Sequence, residues 1–162
     1  MQTAISTQRL VLNIIIGDDD DFMRSLVNTE GWLQFIGDRN VHSKQDAIDY
    51  IRKIKNTPNL FYWVVRLKDT PTPLGIISFL KRSYLEHFDI GFAFLPEFNG
   101  CGYAYEAAEK VLFIASKKAE YSTILATTIP QNIASIKLLN KLGLHFEREI
   151  EVASEKLHVY SN

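Results

Sequence analysis

Asn99-Gly100-Cys101-Gly102-Tyr103-Ala104-Tyr105-Glu106-Ala107-Ala108 follows an apolar run at residues 90–95 and opens a helical segment at 104–118. Strand, small-residue turn and helix start, in that order, leave backbone N–H groups unpaired at the helix end. Those donors and the helix dipole favour a phosphate or pyrophosphate. Gly100, Gly102 and Ala104 keep bulky side chains away from such an approach. Two familiar phosphate loops do not fit. The P-loop requires a Lys-Ser/Thr pair at the helix start, where this chain has Tyr103-Ala104-Tyr105-Glu106. The dinucleotide fingerprint requires three glycines near the start of a βαβ unit, and no glycine follows Gly102 by three residues.

Outward from this turn, periodicity and punctuation predict the remaining elements. Residues 9–16 read as a strand, and the acids at 18–21 suit the start of a helix over 20–28. Capping and solvation account for those four acids better than a metal, because consecutive side chains diverge and no EF-hand spacing follows. Ser43 is the predicted N-cap of a helix over 47–55, with Ile48, Ile51 and Ile54 on one face. Strands at 60–67 and 75–80 form a hairpin, and a third runs over 87–95. Beyond helix 104–118 come a strand at 121–128, a helix at 133–142 closed by Gly143, and strands at 144–152 and 156–160. The order βααβββαβαββ predicts an α/β fold, one domain over residues 1–162.

The loop resembles the acyl-CoA pyrophosphate loop of the GCN5-related N-acetyltransferase (GNAT) family. That motif runs Gln/Arg, two residues, Gly, one residue, Gly/Ala, with Asn99 standing here for Gln/Arg. Residues 100–107 match Gly-x-Gly-Tyr-Ala-x-Glu-Ala, frequent in the branch that acetylates ribosomal-protein N-termini. Asn132-Ile133-Ala134-Ser135, leading to Leu142-Gly143-Leu144, resembles the family's later motif, with Leu144 for the usual Phe. Thr7-Gln8-Arg9-Leu10 resembles the branch's opening strand. The resemblance implies a mixed, mostly antiparallel sheet flanked by helices and splayed at the acyl-CoA site. It implies acetyl-CoA as co-substrate and direct transfer of an acetyl group to a primary amine, either a peptide N-terminus or a small amine.

The resemblance also distributes roles. Cofactor contacts fall on the backbone of Phe94 and Leu95, on Asn99, Gly100, Cys101, Gly102, Tyr103 and Ala104, and on Asn132 and Ser135. Asn132 is a pantetheine contact, a helix N-cap, or both. Ser135 is the candidate for thiol contact or general acid, with a local backbone bond as its other reading. The family's tyrosine acid is replaced by Leu139. Candidate bases are Asp89, Glu155 and His87, with bulk water as the remaining acceptor. Cys101 has no neighbouring base and does not read as a nucleophile, and Glu106 reads as a favourable first-turn carboxylate. Trp32, Phe35, Ile36 and Tyr50 fall where the family covers its acceptor site. A non-catalytic acyl-CoA-binding or sensing domain is the rival reading.

Composition bounds the partners. With 162 residues, 46% of them apolar, the chain can bury a substantial core. A net charge of −1 speaks against a broad basic surface for nucleic acid. The single Cys101 excludes an intramolecular disulfide and a cysteine zinc cluster. No signal segment and no run of about 20 apolar residues is present, so the expectation is a cytoplasmic protein without a membrane partner, monomeric or a homodimer.

Overall fold

The computed structural model describes residues 1–162. One eight-stranded sheet runs in the order β1-β2-β3-β4-β5-β6-β8-β7. Its first half is antiparallel: β1 (Ala4–Ser6), β2 (Leu10–Ile14), β3 (Leu60–Leu67), β4 (Pro73–Lys81) and β5 (Phe88–Phe94). Its second half is β6 (Ile124–Thr128) with the hairpin β7 (His145–Val152) and β8 (Glu155–Ser161). Residues Ala153 and Ser154, both at positive φ, close that hairpin. β5 and β6 are parallel and joined only at Phe88↔Ile124 and Asp89↔Leu125. Beyond those pairs β5 follows β4 while β6 follows β8, and the sheet opens into a cleft, as the resemblance implies.

Two cores lie on opposite faces of the sheet, as period-2 alternation requires. Trp63, Val65, Ile77, Phe79 and Ile90 meet α4 (Tyr103–Ala115), which buries Ala107, Ala108, Val111 and Ala115. Their small side chains bring that helix close to the sheet. Tyr62, Val64 and Ile76 face the other way, onto α1 (Asp20–Val27), α2 (Glu30–Phe35) and α3 (Lys44–Asn56). α3 starts in a reciprocal capping box. Asp46 N–H donates to Ser43 Oγ at 3.1 Å, and Ser43 N–H donates to Asp46 Oδ2 at 2.8 Å. Its buried face is Ala47, Ile51 and Ile54, with Ile48 half-exposed.

Three elements differ from the sequence reading. β1 is too short to show a period. α2 falls where the sequence reading assigned no element; Thr29 Oγ1 accepts the Trp32 N–H at 3.3 Å and nucleates a short helix despite Gly31. Tyr121, read as the first residue of a strand, instead ends a 3₁₀ turn over Ala119–Tyr121, with its ring edge-on against Phe79 and Phe88, and the strand begins at Ile124. α5 (Ile133–Lys141) begins where expected, after Asn132.

Candidate active site

The turn from β5 to α4 carries the donors its sequence predicts. Gly100 and Gly102 adopt φ of +76° and +79°, a region open to glycine without strain. The N–H groups of Gly100, Cys101, Gly102, Tyr103, Ala104 and Tyr105 donate to no protein acceptor, and the first paired amide is Glu106 N–H, 3.1 Å from Gly102 O. Cys101 is exposed, with Sγ 3.7 Å from Asn99 O and no basic partner.

From this loop a trough of about 440 Å³ runs inward between Ala104, Phe92, Phe94, Asn132, Ser135 and α2. One wall is the unpaired edge of β5. Leu95 N–H donates to Leu74 O at 2.8 Å, so antiparallel alternation turns the polar groups of Phe92 and Phe94 toward the cleft. The expected contact at Leu95 is therefore corrected: its N–H is committed to β4, and its carbonyl accepts from Phe98 N–H at 3.0 Å. Phe92 replaces it on the open edge. The opposite wall is α5. Asn132 Oδ1 accepts the Ser135 N–H at 3.1 Å, which caps the helix and leaves the amide nitrogen of Asn132 without a protein acceptor. The Ser135 hydroxyl makes no hydrogen bond to the protein, so the local backbone bond weighed for it does not form.

A second cavity of about 250 Å³ shares Trp32, Phe35, Ile36, Phe92, Asn132 and Ser135 with the trough, so the two spaces meet at Ser135. Its floor is the row Tyr62–Ser78–Gly91, side by side on β3, β4 and β5. Gly91 keeps that floor open: a Cβ there would lie 2.7 Å from Ser78 Oγ. Tyr50, expected over the acceptor, lines this cavity, as do Arg39, Arg82 and Thr127. Leu139, in place of the tyrosine acid, is 1% exposed and supplies only apolar wall.

The three candidate bases lie elsewhere. Asp89 is 1% exposed, on the same face of β5 as Gly91 and behind Arg82 and Thr127, and does not itself line the cavity. Its Oδ2 accepts from Thr127 Oγ1 at 3.0 Å, and its Oδ1 stands 3.0 Å from Arg82 Nε, an ion pair without hydrogen-bond alignment. Burial raises its pKa above the ordinary carboxylate value, against the pull of Arg82 and Thr127. The expectation that Asp89 faces an acceptor is thus corrected: it clasps the turn after β4 to β6 at the point where the strands part. Glu155 sits exposed at the tip of the β7–β8 hairpin, opposite Val152, and does not line the cavity. His87 shares a separate groove with Glu86 and Arg148.

Glu106 does more than favour a helix start. Its Oε1 accepts from Thr7 Oγ1 at 2.5 Å and from Arg9 N–H at 2.8 Å, and its Oε2 accepts from Arg9 Nε at 2.7 Å. Arg9 also donates from Nη1 to Cys101 O at 3.1 Å and lies 4.5 Å from the centre of the Tyr103 ring. The opening strand and the loop form one clamp, a pairing with no periodic signal in sequence. The acids at 18–21 are not simply solvated, since Asp19 and Asp20 are buried. Asp19 is paired with Arg66 and Asp20 lies 3.3 Å from Lys44 Nζ.

Comparison with known proteins agrees with this geometry. The family model described as "Acetyltransferase (GNAT) domain" matches residues 9–145. The chain is 29% identical to the uncharacterized N-acetyltransferase YnaD of Bacillus subtilis over 143 residues, 88% of this chain and 83% of that protein. It is 27% identical to YoaA of the same organism over 150 residues, 90% of this chain and 83% of that protein. Among solved structures, a GNAT-family acetyltransferase from Bacillus anthracis superposes with a TM-score of 0.83 at 23% identity, covering 98% of this chain and 97% of that one. The ribosomal-protein-S5-alanine acetyltransferase of Vibrio fischeri superposes at 0.80 and 19% identity, covering 99% and 96%. The open sheet, the unpaired amides before α4 and the family match over most of its length come together in one conclusion: this chain belongs to the GNAT acetyltransferase family.

Proposed function

We propose that the protein is an acetyl-CoA-dependent N-acetyltransferase that moves the acetyl group directly from the thioester to a primary amine. One observation carries this reading: unpaired amides, an open strand edge and an unbonded serine hydroxyl follow one another along one trough, which opens at its inner end into a second cavity. The amides of residues 100–105, flanked by Asn99, suit a pyrophosphate. The edge groups of Phe92 and Phe94 and the amide of Asn132 suit the amides of a pantetheine arm. This seats the thioester at the junction, beside Ser135.

There the amine nitrogen forms a C–N bond to the carbonyl carbon, and the C–S bond breaks as the tetrahedral adduct collapses. The adduct's nitrogen gives up a proton and the departing sulfur takes one up. In this reading the Ser135 hydroxyl donates a hydrogen bond to that sulfur as its charge develops and assists its protonation as a general acid. No carboxylate or imidazole lines the second cavity, and the one carboxylate of the trough, Glu30, is solvent-exposed at the start of α2, so in this reading solvent takes the proton from the ammonium before attack. A base of protein origin is therefore not required.

Thiol release from acetyl-CoA, measured across a panel of amines with mass spectrometry of the products, tests the proposal. Amine-dependent thiol release with one acetylated amine per thiol is expected. Tight binding of acetyl-CoA with no acetylated product from any amine would favour the acyl-CoA-sensing alternative.

A further inference from the structure

The acceptor cavity is lined by donors. Arg39 stands on the loop between α2 and α3 and pairs with no carboxylate, and the nearest acid in sequence, Asp38, accepts the Asn40 N–H at 2.7 Å. The other cavity arginine, Arg82, is already matched by Asp89. The Trp32 indole N–H is buried without a hydrogen-bond partner, and the Tyr62 hydroxyl is buried with only the Tyr50 hydroxyl beside it, in residues 5% and 7% exposed. The Tyr50 hydroxyl adjoins Tyr62 and Arg39. Burial pushes the Tyr62 phenol well above its ordinary range, so it stays protonated.

A buried donor without an acceptor is unfavourable until a ligand supplies one. A cationic acceptor would leave the Trp32 N–H unmet and would be repelled by the exposed Arg39 guanidinium, which has no carboxylate partner. An oxyanion meets both needs, since Arg39 supplies charge and the hydroxyls and indole supply directed hydrogen bonds.

We infer that the acceptor is a primary amine that also carries a carboxylate or phosphate, with Arg39, Tyr50, Tyr62 and Trp32 seating the oxyanion and the amine reaching toward Ser135. This rests on the acetyltransferase reading above and narrows its substrate class to anionic amines, away from di- and polyamines.

The test compares amino-carboxylates of graded length with their phosphonate analogues, with the matching carboxamides, and with diamines of equal length, using acetyl-CoA. The expected result is a kcat/KM at least tenfold higher for an anionic amine than for its carboxamide. Arg39→Gln should lower kcat/KM for the anionic amine at least tenfold and bring the acid-to-amide ratio toward one. The carboxylate and phosphonate arms show which oxyanion is preferred. Preference for carboxamides or diamines overturns this inference and leaves the acetyltransferase reading intact. If no amine is acetylated, a carboxylate lacking the amine is titrated against the protein with CoA present. A rise in Tm that its carboxamide does not produce and Arg39→Gln abolishes would keep the oxyanion seat while the catalytic reading fails. No rise would remove both.

Discussion

Ser135 is the residue on which chemistry and architecture separate most cleanly. Its backbone N–H completes the α5 cap, while its hydroxyl is bonded to nothing in the protein. Ser135→Ala should therefore leave folding intact. It should lower kcat by about a hundredfold, the usual worth of a general acid or base, with little change in acetyl-CoA affinity. Steady-state kinetics beside calorimetric binding checks this, and a change below about threefold would confine Ser135 to the helix start. Asp89 is the contrasting case. As a buried clasp between Arg82 and Thr127 it serves the cleft's shape, so Asp89→Asn should lower Tm and activity together without altering the form of the pH–rate curve. With solvent as proton acceptor, kcat/KM should rise with pH along the acceptor amine's own titration and move when the amine is changed. A limb fixed at one pH for all amines would point to a protein base. Ser135 and Asn132 were legible in sequence because a cap and its following turn are local. The burial of Asp89 was not, because it depends on Arg82 and Thr127, which meet it only once three strands are in register.

At the scale of elements, the start of α4 is both a helix terminus and the proposed pyrophosphate seat, and the two roles can be opposed. Ala104 lines the trough in the first turn of the helix. Ala104→Asp places a carboxylate where the helix dipole welcomes it, so Tm should hold or rise slightly. The same charge faces the cofactor's phosphates, so acetyl-CoA affinity should fall about tenfold or more, equivalent to about 1.4 kcal/mol per decade. This separates binding from folding more cleanly than a branched residue at Gly102, where φ is +79° and a side chain strains the backbone. The Glu106 clamp makes a second prediction at this scale. Burial tends to raise its pKa, but hydrogen bonds from Thr7 and Arg9 outweigh that and hold it below the ordinary value of 4.5. Its contribution to stability is therefore present above pH 4.5 and fades as pH falls through the folded-state value. Glu106→Ala should cost about 1–3 kcal/mol in unfolding free energy near neutral pH and less in acid, measured by denaturant titration at both pH values. The strands and longer helices were readable from period and caps. α2 was not, because six residues with an internal glycine carry too little periodic signal, although Thr29 marks its start.

Across the whole molecule, function follows from a sheet held together at its middle by two residue pairs. β1 to β5 form one antiparallel half and β6, β8 and β7 the other, and the wedge between them is where the trough and the second cavity meet. The loop motif and the Asn132 segment pointed to this architecture because each is a contiguous stretch whose turn and cap are set locally. The second cavity was less legible. Tyr62, Ser78 and Gly91 come from three strands, and Arg39 from a loop without a motif. In the proposed function the amides of residues 100–105 and the junction at Ser135 belong to one acyl-CoA site. Titration of ¹⁵N-labelled protein with CoA, followed by amide chemical shifts, tests it directly. Saturable shifts are expected, concentrated at Gly100 to Tyr105, at Phe92 and Phe94, and at Ser135. Saturable binding that moves other amides and leaves these unmoved, or no binding at all, would contradict it.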